Sequence, residues 1–279
     1  MMLPDHSNCM SVGWKRYIQS VREPSERRNP DSLVRIFFPL WQRWRSAWFG
    51  RQELAELRAS PFYYFLVART RHYDAVFTDA VEAGVRLIVN IGCGSDTRAH
   101  RFVSLLRGRG VRVLECDFPD LIEAKREAVK RWRAEHVDYL PLDLNAGEWP
   151  ALAMRFREPG SVKTLVLMEG VSHYIEKIAF ERFLAFLGDA LPGGSIVAYD
   201  FKLRGVDDAF GRTDRARTPF RLPPAPDVVA AFHGDRGLRL DRMVLSADLT
   251  ARLLPGLEPP PRGMFTEDGL ITLTAARAG

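Results

Sequence analysis

The stretch Leu87–Arg101, LIVNIGCGSDTRAHR, decides the fold. Its apolar half, Leu87–Ile91, stops at Gly92-Cys93-Gly94, and the chain turns polar at once. A buried parallel strand has this pattern when it feeds a glycine-rich turn and then a helix. The glycines allow a sharp bend and an approach that a Cβ would block. A second apolar run, Val111–Cys116, ends at Asp117, where a carboxylate can accept from both hydroxyls of a ribose. Strand, Gly-x-Gly turn, helix, strand and acid together predict a nucleoside-binding half-fold.

Outward from this core the pattern repeats. Pro61–Phe77 reads as a helix, with Ser60 as its N-cap and Pro61 at its first position. A helix over 118–136 and a short strand over 138–142 follow, the strand closing at Asp143. Thr164–Met168 is a fourth strand, closing at Glu169, and Ser195–Tyr199 a fifth after a helix over 176–190. Leu238–Val244 and Gly269–Thr274 read as a terminal strand pair. The expected fold class is α/β: a mostly parallel, seven-stranded sheet with helices on both faces. Ligands of such sheets bind outside the carboxyl ends of the strands. Gly92–Asp96, Asp117, Asp143 and Glu169 all fall there.

The flanks read differently. Residues 1–30 are polar, with Pro4, Pro24 and Pro30, and read as irregular. Trp41, Trp44 and Trp48 recur at helical spacing, a face that would pack on the main domain or wall a substrate pocket as a lid. Residues 1–60 are therefore expected to form an N-terminal helical lid on a main domain over 61–279. The proline-rich, charged segment near 203–235 reads as a lid-like insertion.

Composition narrows the partners. The chain has 279 residues, 46% of them hydrophobic, and a net charge of +5. No compact basic tract with interleaved aromatics stands out, so nucleic acid is not an expected partner. No apolar run is long enough to span a bilayer, so no membrane partner is expected either. Cys9, Cys93 and Cys116 follow no metal spacing and cannot all pair, which predicts no metal site and a cytoplasmic, reducing environment.

The glycine turn also selects the ligand. A dinucleotide fold would place a third glycine where this chain has Thr97. Asp96 sits in the turn, and a carboxylate there repels phosphate but tolerates an ammonium or sulfonium group. The pattern points from NAD toward S-adenosylmethionine.

At this point a family is visible. IVNIGCGSDTRAHRF (88–102) resembles the "LGAGxDTRxxRL" signature of the leucine carboxyl methyltransferase family, whose bacterial branch includes polyketide O-methyltransferases. LVARTRHYD (66–74), LECDFPDLIEAKREAV (114–129), LPLDLN (140–145) and LVLMEGVSHYI (165–175) are similar, in order, to further family motifs. The resemblance runs to FTEDGLITLTAA (265–276) and covers roughly residues 30–276. It implies a class I, Rossmann-like methyltransferase. Arg69 would grip the methionine carboxylate, with Gly92, Cys93 and Gly94 lining the methionine part. Asp117, followed by Phe118, would take the ribose, and Asp143 and Leu144 would flank adenine. Glu169 and Gly170 would lie beside the amino group, while Asp96, Thr97 and Arg98 would fix the turn.

The chain departs from the family at Ser172-His173, where apolar residues are usual; Tyr174 is retained. A carboxylate acceptor is already ionised and needs only positioning, whereas an alcohol or phenol gains from a base such as histidine. His173 and Tyr174 are the candidate catalytic residues, although His173 could equally pack at a helix start. With His173 as base, activity would fall below pH ~6.5. The expectation is O-methylation of a carboxyl or hydroxyl group on a small molecule of secondary metabolism. A protein C-terminal carboxyl, an N- or S-acceptor and a non-catalytic cofactor binder are the alternatives.

Overall fold

β1 (Leu87–Ile91) is the strand at which the sheet changes direction. The structure, a computed structural model, describes residues 6–48, 51–132, 134–157, 162–205 and 220–276. Every residue of β1 after Leu87 is buried, and both of its faces are apolar, as a central parallel strand requires. It pairs in parallel with β2 (Arg112–Asp117) on one side and β4 (Thr164–Met168) on the other. β3 (Val137–Pro141) continues beyond β2, and β5 (Ile196–Leu203) beyond β4. β8 (Asp268–Ala275) runs antiparallel to β5, and β7 (Leu238–Leu245) antiparallel to β8. The order is β3-β2-β1-β4-β5-β8-β7. The crevice between β1 and β4 is the switch point at which such sheets take their ligands.

The sheet has eight strands rather than the expected seven. The extra one, β6 (Arg221–Leu222), pairs with the end of β5 and is too short to leave a periodic signal in sequence. The last two long strands pair as expected, but α11 (Ser246–Leu253) lies between them in sequence.

Alternation along the strands separates two cores. Ile88, Leu165 and Leu167 face α4 (Pro61–Glu82), α6 (Val103–Gly108) and α11, packing with Phe65, Phe77, Leu106 and Leu249. Val89, Ile91, Val166 and Met168 face α8 (Pro150–Arg157), α9 (Lys177–Ala190) and α10 (Pro226–Gly234), packing with Phe156, Phe180, Phe183 and Val229. α4 outruns its expected end because Ala80 and Val81 stay on the buried face. Pro61 does open it, but the Ser60 hydroxyl makes no capping bond. The helix expected over 118–136 is α7 (Pro119–Ala128), followed by one 3-10 turn at 130–132. After the glycine turn the helix is broken into α5 (Arg98–Arg101) and α6.

The N-terminal part corrects two expectations. α1 (His6–Arg22) occupies much of the segment read as irregular. Its Tyr17 and Ile18 pack with Val34 and Phe38, and its polar side chains bond inward. Gln19 donates to the Tyr63 carbonyl at 2.5 Å, and Asn29 donates to Gln19 and to the Thr70 hydroxyl. The polarity that suggested a loose chain therefore serves buried hydrogen bonds. α2 (Leu40–Ala47) and α3 (Arg51–Ala59) follow, and Trp41, Trp44 and Trp48 are exposed rather than packed on the main domain. Of the expected insertion, 206–219 lies outside the described residues. Phe220 and Val229 beyond it belong to the main core, so 220–235 is part of the domain rather than a lid.

One glycine sits at a backbone crossing. A Cβ on Gly188 in α9 would run into the Arg236 carbonyl oxygen, and backbone cannot swing aside. Gly188→Ala should lower stability by about 1–3 kcal/mol or more, read as a drop in urea midpoint. An unchanged midpoint would contradict this packing.

Candidate active site

The carboxyl ends of β1, β2, β4 and β5 converge on one region. At β1, Gly92 and Gly94 adopt positive φ of 65° and 34°. A Cβ on Gly92 would meet Val171, and one on Gly94 would lie 2.6 Å from Cys9 Sγ of α1. Only glycine lets these two neighbours close over the turn. The Cys93 amide donates to the Cys116 carbonyl at 3.1 Å, tying the turn to β2. Beneath it the buried Lys125 donates to the Cys93 carbonyl (3.2 Å) and to Glu115 (2.8 Å).

Asp117 closes β2. Its carboxylate accepts from the Gly94 amide at 2.7 Å and from the Phe118 amide at 2.9 Å. Burial raises its pKa, against the pull of those two N–H groups. The Leu142 amide donates to the Asp117 carbonyl, so the exit of β3 lies alongside. There Asp143 is exposed and accepts from the Asn145 amide, while Leu144 is buried in the main core.

β4 ends at Glu169, the centre of a buried charge cluster. Arg69 of α4 donates to Glu169 at 3.1 Å and to Asp200 at 3.3 Å. Gly170, at φ +70°, donates its amide to Asp200 at 2.7 Å, and a Cβ there would crowd the Arg69 guanidinium at 3.4 Å. Arg98 donates to Glu169 (2.8 Å), Asp96 (2.7 Å), Asp74 (2.8 Å) and the Thr70 carbonyl (3.3 Å). Burial opposes ionisation of Asp96 and Glu169, but the neighbouring guanidinium groups outweigh it and both carboxyls are held low. Asp96, Thr97 and Arg98 thus tie the turn to its surroundings.

His173 and Tyr174 lie in a short 3-10 turn, Ser172–Tyr174, with their rings 4.1 Å apart. Ser172 is buried and donates to the Asp200 carbonyl at 2.7 Å. Burial, reinforced by Lys202 and Arg69, pushes the His173 pKa down to about 3. A shift in that direction lowers the basicity of the imidazole and moves its titration away from the pH of ~6.5 expected from sequence.

The structure brings Arg69, Gly92, Cys93, Gly94, Asp117, Glu169 and Gly170 to the strand ends, with Arg69 and Glu169 in direct contact. Sequence reading had assigned those two separate tasks. It missed Asp200, although the rule that found Asp117 and Glu169, an acid closing an apolar run, applies to IVAYD as well. It also missed Arg16, which donates to the Ser95 hydroxyl (2.7 Å) and carbonyl (3.0 Å) and so pins α1 to the turn.

These donors fit S-adenosylmethionine. The carboxyl groups of Asp96, Asp117, Glu169 and Asp200 lie at the strand ends, several of them paired with Arg69 and Arg98, a poor setting for phosphate and a compatible one for a ligand carrying an ammonium group. Arg69, paired here with Glu169 and Asp200, would be the cation for a ligand carboxylate, and Asp117 would be the acceptor for ribose hydroxyls.

Sheet order, glycine turn and acid-lined strand ends define a class I methyltransferase of Rossmann-like build. The profile of the family "Leucine carboxyl methyltransferase" matches residues 11–188, more than half of the chain, and the protein belongs to that family. It is similar to a protein of Streptomyces coelicolor assigned as an S-adenosyl-L-methionine-dependent methyltransferase, 28% identical over 207 residues, 73% of this chain and 71% of the other. A Frankia alni protein assigned likewise is 32% identical over 140 residues, about half of each chain at 49% and 48%. Among solved structures, one assigned as a sarcosine dimethylglycine methyltransferase from Galdieria sulphuraria shares the fold, with a TM-score of 0.51 and 14% identity over 77% of this chain and 88% of the other. The protein is an S-adenosylmethionine-dependent methyltransferase.

Loss of the Asp117 carboxylate removes a charge-assisted acceptor worth about 1.5–3 kcal/mol. Asp117→Ala should weaken S-adenosylhomocysteine binding by roughly tenfold to a hundredfold in calorimetry while the far-ultraviolet dichroism is retained. A folded variant with native affinity would remove Asp117 from the cofactor site.

Proposed function

We propose that the protein methylates a carboxyl oxygen of a small molecule, giving a methyl ester. Membership of a carboxyl methyltransferase family carries this reading, and the lowered basicity of His173 agrees with it. An imidazole with a pKa near 3 is a weak base and a poor match for taking a proton from an alcohol or phenol near pH 7. A carboxylate arrives deprotonated and needs alignment with the methyl donor, not a base. Membership of a carboxyl methyltransferase family supports the same acceptor atom.

Each residue then has a task. S-adenosylmethionine, when bound, supplies an electrophilic methyl group. Arg69 holds the amino-acid carboxylate of the cofactor and Glu169 its ammonium; Asp117 binds the ribose, and Asp143 and Leu144 serve the adenine. Gly92, Cys93 and Gly94 form the floor, and Phe118 and Gly170 complete the wall. His173 and Tyr174 orient the acceptor through a neutral ring nitrogen and a phenol, and the loop around Val171 shields the reacting atoms from water. A small acceptor, as in secondary metabolism, is favoured over a protein C-terminus because Ser172 and His173 replace the family's usual apolar residues.

The product distinguishes the acceptor atoms. With labelled cofactor and a panel of small carboxylic acids and phenols, label should enter an acid. Mild alkali should then release it as methanol, which a methyl ether or amine would not do. Alkali-stable label would overturn the carboxyl reading, and label entering only polypeptide would move the acceptor to a protein.

The pH profile is a separate check. A group whose pKa is lowered to about 3 stays neutral from pH 5 upward, so any inflection near 7 should persist in His173→Ala; burial pushes the Asp200 carboxyl beside Arg69 up to about 7 and makes it a group that titrates there. His173→Ala should raise the acceptor KM and reduce kcat by less than about tenfold. A fall of ~10²-fold in kcat, together with a native inflection near 6.5 that the variant loses, would restore His173 as the base.

A further inference from the structure

Asp200 holds two parts of the site at once. Its Oδ1 accepts from the Gly170 amide at 2.7 Å, and its Oδ2 accepts from Arg69 Nη1 at 3.3 Å. The residue is 2% exposed, so both contacts are made away from water. Arg69 gives its Nε to Glu169 at 3.1 Å, while its Nη2 has no hydrogen-bond partner among the described residues. Nη2 is the donor left for a ligand carboxylate, which would then share one guanidinium with Asp200 and Glu169.

The charges around Asp200 are already committed. Arg69 and Tyr73 face it from α4, Glu169 from the end of β4 and Asp268 from β8, while Lys202 follows two positions on in β5 and His173 lies on the neighbouring turn. Lys202 is paired with Asp268 at 2.8 Å and with Glu267 at 3.0 Å. Glu169 has a second cation in Arg98, at 2.8 Å. Asp200 therefore depends on Arg69 alone, through the longest ion pair of the group. Burial pushes its carboxyl up to about 7; Asp268 and Glu169 add to the rise, and Arg69 and the Gly170 amide oppose it.

We propose that Asp200 is the positioning residue of the cofactor-carboxylate subsite, and that it takes up a proton from the medium as that carboxylate settles on Arg69. The inference rests on Arg69 as the cation for the cofactor's carboxylate. A further anion on the same guanidinium disfavours an ionised Asp200. Protonation at Oδ2 removes the repulsion and leaves Oδ1 on the Gly170 amide, so the turn at the end of β4 keeps its place. Asp268 is a poorer site for the proton, because Lys202 pairs with it directly. Below pH ~7 Asp200 is already protonated in the free protein, and affinity is level with pH. Above that value binding must draw in a proton, so affinity falls as pH rises, by at most about tenfold per pH unit.

Calorimetry on the full chain tests the proposal without turnover. The dissociation constant of S-adenosylhomocysteine should rise about three- to tenfold between pH ~7 and pH ~8.5. Titrations at pH ~7.5 in phosphate and in Tris, buffers of different ionisation enthalpy, should reveal uptake of roughly half a proton or more. Decarboxylated S-adenosylhomocysteine, which keeps the amine and lacks the carboxylate, should bind about tenfold more weakly and without that uptake. This comparison needs no variant, and the ligand's own amine is common to both arms. Asp200→Asn keeps an acceptor for the Gly170 amide but cannot titrate, so it should lose both the uptake and the added pH dependence. Glu115, which burial also raises to about 7, is intact in that variant and would leave the uptake in place. No uptake by the native protein, equal uptake with both ligands, or uptake unchanged in Asp200→Asn would each overturn the proposal; a weaker decarboxylated ligand would still leave Arg69 its task. Equal affinity for the two ligands would instead overturn the assignment of the carboxylate to Arg69, and this proposal with it. An Asp200 that only supports the fold would weaken binding at every pH when replaced and leave the proton count unchanged, which would also overturn it.

Discussion

The guanidinium of Arg98 is the interaction on which the rest of the structure depends. It is 1% exposed and joins three carboxylates from three places: Asp74 on α4, Asp96 in the glycine turn and Glu169 at the end of β4. A cation in that position is tolerable only because its partners are fixed around it. Removing it would leave the buried Asp96 without its guanidinium partner and Glu169 with Arg69 alone, at a cost of about 3–5 kcal/mol. Asp96 and Glu169 have folded pKa values below their unfolded ones. Their contribution is therefore complete above the unfolded carboxylate range and is lost as pH falls through the lowered values.

From this hub the network reaches both ends of the site. Arg101 doubles the contact to Asp74 and also donates to the Thr97 hydroxyl, which in turn donates to Asp31. Asp31 pairs with Arg16 of α1, so the N-terminal helix is held by the same charges that shape the glycine turn. On the other side Glu169 is shared between Arg98 and Arg69. The strand ends and the N-terminal helix therefore share one set of ion pairs.

This sharing explains what the sequence disclosed and what it withheld. β1, β2, β4 and β5 were legible because a buried parallel strand is an apolar run stopped by a glycine or an acid. Their parallel pairing was implied by the alternation with helices, while their order in the sheet was not. β6 was not legible, since two residues carry no period. α1 was hidden because its inward face mixes Tyr17 and Ile18 with Arg16 and Gln19, which read as solvent-facing until their partners 44 to 79 positions away are known. The tryptophans of α2 failed in the opposite sense: spacing revealed the face, but not that it turns outward. At the site, each acid was visible as a strand end, whereas the Arg69–Glu169 contact spans 100 positions and leaves no local trace. The depressed pKa of His173 was equally invisible, because burial and the neighbouring Lys202 come from the fold.

The charge arrangement also bears on the chemistry. Transfer of a methyl group from a sulfonium to a carboxylate turns a cation and an anion into two neutral groups. Such charge annihilation is favoured where water is excluded, because the ionic reactants lose more solvation than the transition state does. A carboxylate beside the sulfonium would stabilise the reactant and slow the step. The residues of this site avoid that. Glu169 is committed to Arg69 and Arg98, Asp117 is occupied by the Gly94 and Phe118 amides, and His173 is neutral. A neutral acceptor such as an alcohol would gain less from this arrangement, since it would also have to shed a proton to a base that the buried imidazole is poorly suited to be. The substitution of histidine for an apolar residue, which in sequence suggested base catalysis, is thus compatible in structure with ester formation.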